Sequence, residues 1–190
     1  MIVCGSPRKN GNTNTIVNWC VEGMEEKGAE VEIVHAADLQ YKELGCIACM
    51  GCKRIKQYRC VIEDEVSDVV AKIPENNVLV FATPVYFFGP TGQLKLFIDR
   101  MYSLLKFNPE KEEFVHPMEG IQLGLIATSG GPEDAGLSMV EGVFETLSDI
   151  TGIELETFLA ANVPVDPSII KGDEELKEKA REFGRMLAEA

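Results

Sequence analysis

One stretch of the chain decides its fold, and it reads VLVFATPVYFFGPTGQLKLFIDR over residues 78–100. The apolar run at its start, Val78 to Ala82, is typical of a strand that is buried on both faces of a sheet. Apolar residues then recur at helical spacing from Leu94 to Leu105. The stretch therefore predicts a buried strand, a turn rich in proline and glycine, and a helix.

The same alternation of strand and helix continues along the whole chain. Apolar runs predict strands at residues 1–4, 29–35, 78–82, 121–127 and 155–159. Amphipathic stripes predict helices at about 16–24, 66–73, 94–105, 133–151 and 176–187, and residues 109–117 are interpreted as a polar excursion. Alternating strands and helices indicate an α/β protein with a parallel sheet.

Composition and charge limit the class of protein. A length of 190 residues predicts one domain, residues 1–190, and 45% apolar with 26% charged residues is typical of a soluble globular chain. The net charge of -13 argues against nucleic acid and anionic membranes as partners, because both are polyanions. No run approaches the roughly 18 apolar residues of a membrane span, and the first residues given lack the charged segment followed by an apolar core that is typical of a signal peptide. We therefore expect a cytoplasmic protein.

The loop after the first predicted strand is suited to an anion. It reads GSPRKNGNT over residues 5–13, and the next helix begins near its end. A helix N-terminus presents unpaired backbone N–H groups, to which Ser6 and Thr13 add hydroxyls and Arg8 a positive charge. The loop matches neither G-x-x-x-x-G-K-[ST] nor G-x-G-x-x-G, so a terminal phosphate monoester is favoured over a nucleoside triphosphate or a dinucleotide. The alternative is an ordinary capped turn.

Two further loops follow the third and fourth predicted strands, and in a doubly wound sheet such loops converge at the carboxyl ends of the strands. They read TPVYFFGPTGQLK over residues 83–95 and ATSGG over 127–131. Together with GSPR at 5–8, these motifs resemble the NADPH-dependent FMN reductase family, and the resemblance spans nearly the whole chain. It implies a flavodoxin-like, doubly wound, five-stranded parallel sheet of order 2-1-3-4-5 with helices on both faces, and FMN as cofactor.

The resemblance also implies which residues bind FMN. Turns of proline and glycine can form the flat apolar slot that an isoalloxazine ring requires. The alternatives are that the aromatic residues belong to the core and that Gly130 and Gly131 mark a plain turn. The residues expected at the cofactor are Ser6, Arg8, Gly11, Asn12, Thr13, Thr83, Pro84, Val85, Tyr86, Phe87, Thr128, Ser129, Gly130 and Gly131. No side chain is assigned as a catalytic acid or base.

Two further expectations come from the resemblance. It implies a homodimer or homotetramer with the flavin near a subunit interface. The first strand of the family is usually longer than residues 1–4, which leaves open a start upstream of Met1.

Four cysteines form the most distinctive motif, within a loop at about residues 41–63. Cys46, Cys49, Cys52 and Cys60 have the spacing C-x2-C-x2-C-x7-C, whose first part repeats the run used by [4Fe–4S] clusters. The motif resembles the iron–sulfur flavoprotein branch of the same family. A structural zinc site and cysteines without a metal are the alternatives. Because the loop follows the second strand, we expect the cysteines at the same end of the sheet as the flavin.

The remaining cysteines and a group of positive charges complete the motif analysis. Cys4 and Cys20 lie in a strand and on an apolar helix face, where a cysteine is usually a small buried hydrophobe. Four basic residues form an island beside the quartet, where they balance the charge of a cluster or steer an acidic electron carrier such as ferredoxin. They are Lys53, Arg54, Lys56 and Arg59.

The sequence thus predicts an FMN-dependent oxidoreductase that passes electrons between a [4Fe–4S] cluster and FMN. One alternative is an NAD(P)H-dependent FMN or quinone reductase whose cysteines are empty or structural. The other, from a different class, is a non-enzymatic electron carrier like flavodoxin with a structural zinc site.

Overall fold

The chain alternates strands and helices in the order that the sequence predicts, and the computed structural model describes residues 1–189. Its strands are β1 (Ile2–Cys4), β2 (Ile33–His35), β3 (Val78–Pro84), β4 (Lys106–Asn108), β5 (Glu113–Val115), β6 (Gln122–Thr128) and β7 (Leu155–Ala160). Its helices are α1 (Asn12–Glu26), α2 (Glu65–Lys72), α3 (Gly92–Arg100), α4 (Leu137–Thr151), α5 (Pro167–Ile170) and α6 (Glu174–Glu189). Short 3₁₀ turns span Gly51–Lys53, Ile73–Glu75 and Met101–Leu104.

Five parallel strands form the central sheet in the order β2-β1-β3-β6-β7. Counted along the parallel strands alone, this is the order 2-1-3-4-5, so the predicted doubly wound topology is confirmed. The apolar run that opens the deciding stretch forms β3, which lies between β1 and β6. The loops that follow β1, β3 and β6 consequently leave the sheet at the same edge.

Helices cover both faces of the sheet. Successive side chains of β3 point to opposite faces, so the strand packs against helices on each side. Leu79 and Phe81 pack with α2, α3 and α4 on one face. Val80 and Ala82 pack with α1 and α6 on the other. Because both faces are covered, the strand is apolar at every position from Leu79 to Ala82 and shows no period of two.

One strand and one helix begin later than the sequence predicts. β2 begins at Ile33 and not at residue 29, because its partner β1 is only three residues long and offers no further backbone groups. α4 begins at Leu137 and not near residue 133, because Gly136 has a left-handed backbone with φ of 109° and cannot continue a helix.

Two small elements were not predicted. The predicted polar excursion at residues 109–117 overlaps an antiparallel hairpin of β4 and β5, in which Phe107 lies opposite Phe114. α5 is a single turn whose start is capped by Asp166, and the carboxylate accepts a hydrogen bond from the Ser168 amide. Within residues 1–189, no helix combines the length and the apolar character that crossing a bilayer requires.

Candidate functional site

The loops after β1, β3, β6 and β7 line one cleft at the carboxyl edge of the sheet, with a volume of about 190 Å³. Ten of the residues predicted to bind the cofactor lie in its wall. They are Ser6, Arg8, Gly11, Asn12, Thr13, Pro84, Val85, Tyr86, Thr128 and Gly130. The convergence that the topology predicted is therefore observed.

The N-terminus of α1 forms the polar end of the cleft. Its cap residue is Gly11, which has no side chain to occupy the amides of the first turn. Two hydrogen bonds to the carbonyl oxygen of Arg8 shape the loop before it, from the Gly11 amide at 2.9 Å and from Asn14 Nδ2 at 2.9 Å. The first turn of α1 thus lies in the cleft wall without a side-chain cap, and an uncapped helix N-terminus is the arrangement that anions bind.

The charge at this end of the cleft comes from Arg8. Its side chain is exposed beside the helix N-terminus. The neighbouring Lys9 is turned away and forms an ion pair with Asp38 at 2.6 Å. Arg8 is therefore the cation of this loop that a bound anion would meet.

Side-chain hydrogen bonds tie the loops of the cleft to one another. The hydroxyls of Thr13 and Thr128 share a hydrogen bond of 2.8 Å across the loops after β1 and β6. Asn12 Nδ2 donates to the carbonyl of Pro164, at 2.5 Å, in the loop after β7. Asn12 Oδ1 is buried and has no hydrogen-bond partner among residues 1–189. This acceptor lies at the cleft wall and is available to a hydroxyl donor of a ligand.

A strained turn forms one rim of the cleft. Tyr86 and Gly89 pair through two backbone hydrogen bonds of 2.9 and 3.2 Å, and Phe87 and Phe88 between them have φ of 46° and 68°. Positive φ at both central positions is the type I′ geometry, which costs a bulky side chain about 1–2 kcal/mol per residue. Phe87 is nevertheless 97% exposed. Strain of this kind concentrates at ligand sites.

Four predicted residues do not line the cleft. Thr83 is buried beneath it, where its hydroxyl accepts from the Thr91 amide at the start of α3. Ser129 accepts from the Gly131 amide and so shapes the turn after β6 from within. Phe87 points into solvent because of the turn geometry. These residues support the loops around the cleft, and their neighbours in the chain line it.

Sequence reasoning missed one wall of the cleft. Val163, Pro164 and Val165 follow β7 and line the cleft beside the start of α1, where Asn12 bonds Pro164. The signal was present, because residues 155–159 were predicted as a strand of the same sheet and the loop after it leaves at the same edge. The loop carries no recognisable motif.

The four predicted cysteines line a second, smaller cavity together. Cys46, Cys49, Cys52 and Cys60 share it with apolar neighbours and with three residues at the end of α3, namely Arg100, Tyr102 and Ser103. Cys52 and Cys60 are buried, whereas Cys46 and Cys49 are exposed. Burial raises the pKa of the Cys52 thiol, and the neighbouring Cys60 and Cys46 add to the rise, while Lys53 and Lys106 oppose it.

The four thiols line a cavity and are not gathered around a single position that one metal ion could occupy. Within residues 1–189, no three His, Cys, Asp or Glu side chains lie close enough to hold one metal ion. Ala48 and Met50 adopt left-handed backbones with φ of 52° and 58°, which bend the chain between successive cysteines. Cys4 and Cys20 are buried elsewhere as predicted, and burial raises the pKa of the Cys20 thiol to about 12.

A buried ion pair closes the cysteine loop. The guanidinium of Arg100 donates to both carboxylate oxygens of Asp64, at 3.0 and 2.8 Å, and both side chains are almost fully buried. It also donates to the carbonyls of Glu43 at 3.3 Å and Ile62 at 3.1 Å, which flank the four cysteines. Arg100 therefore holds both ends of the loop. Burial favours the neutral acid of Asp64, but hydrogen bonds from Arg100 and from the amides of Ser67 and Lys42 outweigh it and lower the pKa.

Two of the four side chains in the predicted basic island already have partners within the protein. Lys53 Nζ donates to the carbonyl of Tyr102 and lies 3.5 Å from the centre of that ring. Arg59 pairs with Asp68 at 3.1 Å. Arg54 and Lys56 remain exposed. A cation that the sequence did not single out, Lys106, donates to the carbonyl of Ile55 at 2.9 Å and also bonds that of Cys52.

The expectation that the cysteines lie at the flavin end of the sheet was wrong. The loop leaves β2 at the carboxyl edge, but it then runs along α3, where Gly45 packs against Leu96 and Asp99. The N-cap of α3, Thr91, donates to the Gly5 carbonyl at the cleft, whereas the cysteine cavity is built on the residues around Arg100. The two cavities lie at opposite ends of a helix about 14 Å long.

The Asp64–Arg100 pair gives a prediction for stability and its pH dependence. Asp64→Asn keeps an oxygen to cap α2 but leaves a buried guanidinium without its countercharge, so we expect the free energy of unfolding at pH 7 to fall by about 3–5 kcal/mol. Because the pKa of Asp64 is lowered on folding, its contribution is present above the unfolded value of about 4 and is lost as the pH falls through the folded one. The difference between variant and parent should therefore shrink in acid.

Urea denaturation between pH 3 and 7 measures this difference. Asp68→Asn is the matched control, because its pair with Arg59 is exposed and should be worth less than about 1 kcal/mol. Equal effects of the two substitutions would contradict the assignment.

Comparisons with known proteins show the family to which the chain is related. The chain matches the family described as NADPH-dependent FMN reductase over residues 1–162. An iron–sulfur flavoprotein of Methanocaldococcus jannaschii is 29% identical over 192 aligned positions, which cover 98% of this chain and 94% of that protein. An iron–sulfur flavoprotein of Archaeoglobus fulgidus is 30% identical over 188 positions, covering 99% of this chain and 78% of that protein.

The fold recurs among solved structures. An FMN-dependent NADH-azoreductase from Bacillus anthracis, solved in complex with FMN, superposes with a TM-score of 0.71 at 15% identity, and the match covers 98% of each chain. At this identity the likeness shows the shared fold.

Proposed function

Because the chain belongs to the NADPH-dependent FMN reductase family and is an FMN-dependent oxidoreductase, we propose that it passes electrons between FMN in the cleft and a [4Fe–4S] cluster on the four cysteines. One observation carries the proposal. Cys46, Cys49, Cys52 and Cys60 come from a loop of mixed exposure, yet all four line one cavity. A second site of this kind is not required for flavin chemistry alone.

The cleft fits the two ends of FMN. The open amides at the start of α1 and the guanidinium of Arg8 suit the phosphate, and the unpaired Asn12 Oδ1 suits a ribityl hydroxyl. Pro84, Val85 and Tyr86 would form the apolar wall for the ring. The cleft volume of about 190 Å³ lies below the roughly 300 Å³ of common ligand pockets, so the outer edge of the ring would extend toward the turn at Phe87.

FMN supplies the exchange between hydride or two-electron transfer and single-electron transfer. The residues of the chain position and shield it. The Thr13–Thr128 hydrogen bond fixes the distance between two walls, and the buried Thr83 supports a third. The exposed rim at Phe87 leaves one side of the cleft open for a nicotinamide, in keeping with the family description.

The cysteine cavity fits a cluster on three grounds. The thiols border a space and not a point, the spacing C-x2-C-x2-C is that of cubane sites, and two buried hydrogen-bond donors in the wall have no partner within residues 1–189. A cluster would supply storage for a single electron. Lys53 and Lys106 lie beside Cys52 and would offset part of its negative charge.

An acidic electron carrier such as ferredoxin remains part of the proposal. Its docking would depend on Arg54 and Lys56, since Lys53 and Arg59 are already paired. The exposed Cys46 and Cys49 lie on the same loop. The exposed side of a cluster would then lie on the same loop as the charges that would attract the carrier.

The cofactor content of anaerobically purified protein tests the proposal. We expect about one FMN with about four irons and four sulfides per chain. Cys52→Ala should lose the iron and keep the FMN, because the two cavities share no lining residue. Cys20→Ala, which alters a buried thiol on the opposite face of the sheet, should keep both.

Other outcomes identify the alternatives. Stoichiometric zinc without sulfide would indicate a structural zinc site and, with slow flavin turnover, the carrier function. Protein without iron after anaerobic reconstitution, but with rapid flavin reduction by NADPH, would indicate a flavin or quinone reductase without a cluster.

The assignment of the phosphate end gives a second prediction. Arg8→Gln should weaken FMN binding by about tenfold, because a hydrogen bond from a charged donor is lost at an exposed position. Lys9→Gln is the control and should change the dissociation constant by less than about twofold, because Lys9 is paired with Asp38 and contributes no wall to the cleft. Quenching of FMN fluorescence by the apoprotein measures both. Equal losses would show that general charge, and not the position of Arg8, governs binding.

A further inference from the structure

Two buried hydrogen-bond donors in the cysteine cavity have no partner. Arg100 is 1% exposed and Ser103 is 2% exposed, and both line the cavity with the four cysteines. Within residues 1–189, neither Arg100 Nε nor Ser103 Oγ makes a hydrogen bond. A buried polar atom without a partner costs free energy, so two of them in one cavity indicate an acceptor that lies inside it.

The remaining nitrogens of Arg100 fix where Nε can donate. Nη1 and Nη2 are occupied by Asp64 and by the carbonyls of Glu43 and Ile62. This holds the plane of the guanidinium and leaves Nε as the donor toward the cavity. Cys60 lines the same cavity as the guanidinium.

Ser103 reaches the cavity from the next turn of the chain. It follows Arg100 by three residues, in the 3₁₀ turn Met101–Leu104. Residues three apart in such a turn lie on the same side, so both donors face the thiols from one wall. Neither was singled out from the sequence, because a serine and an arginine at the end of a helix carry no motif.

Resting on the proposed function, we propose that Arg100 Nε and Ser103 Oγ donate hydrogen bonds to sulfur atoms of the [4Fe–4S] cluster and raise its reduction potential. Sulfur atoms of thiolate and sulfide are the acceptors that the cavity would then contain. Hydrogen bonds to them stabilise the more negative, reduced cluster and so favour its reduction. The two residues would thereby help to set the reduction potential of the cluster.

The reduction potential of the cluster in the holoprotein tests this inference. Ser103→Ala should lower the ratio of reduced to oxidised cluster about fivefold at a fixed potential, as one hydrogen bond of ordinary strength is lost. For a one-electron couple this is a shift of about 40 mV to lower potential. The potential of FMN should not change, and Ser103→Thr, which keeps the hydroxyl, should restore the parent value. A potentiometric titration followed by electron paramagnetic resonance measures both centres.

Further measurements test Ser103 and Arg100 separately. They also distinguish a failure of this inference from a failure of the proposed function. Ser138→Ala, an exposed serine of α4, should leave the cluster potential unchanged. Arg100 is tested without substitution, since its loss would open the loop: protein with isotopically labelled arginine should show a nitrogen coupling to the reduced cluster. An unchanged potential in Ser103→Ala, or no arginine coupling, would overturn this inference while the cluster stands. Protein without a reducible cluster would overturn the proposed function and this inference with it.

Discussion

The guanidinium of Arg100 is the interaction on which the second site of this protein depends. It bonds the carbonyls of Glu43 and Ile62, at the two ends of the cysteine loop, and neutralises the buried Asp64 that begins α2. Removing one partner of a buried pair leaves an uncompensated charge, so the loop, α2 and the end of α3 are energetically coupled. Four thiols on a loop whose regular structure is one 3₁₀ turn come to line one cavity because this residue closes the loop.

The first site depends on topology more than on any one residue. Parallel strands deliver the loops after β1, β3, β6 and β7 to one edge, and hydrogen bonds such as that between Thr13 and Thr128 then fix the spacing of the walls. α3 links the two sites, since Thr91 at its start bonds the Gly5 loop and Arg100 at its end bonds the cysteine loop. One short helix thus sets the relative position of the proposed flavin and cluster.

The sequence predicted the strands and the loops at their ends from local patterns, and its family resemblance implied the sheet order and the residues of the cleft. The apolar run at Val78 identifies the central strand, and turn residues at strand ends identify the loops. It did not predict the course of the cysteine loop, because that depends on the long-range contact of Arg100 with Asp64, which lies 36 positions away in the chain. The unpaired donors on Arg100 and Ser103 were beyond sequence reasoning for the same reason, since burial without a partner is a property of the packed structure.

Electron transfer between the two sites is tested most directly by an anaerobic reaction of the holoprotein with excess NADPH, which supplies more electrons than FMN and the cluster accept together, followed by rapid freezing and electron paramagnetic resonance. We expect the signal of the reduced cluster to rise as the absorbance of oxidised FMN falls. Cys49→Ala should lose the cluster signal while its FMN is still reduced. Full reduction of FMN with a cluster that stays oxidised would contradict electron transfer between the two sites.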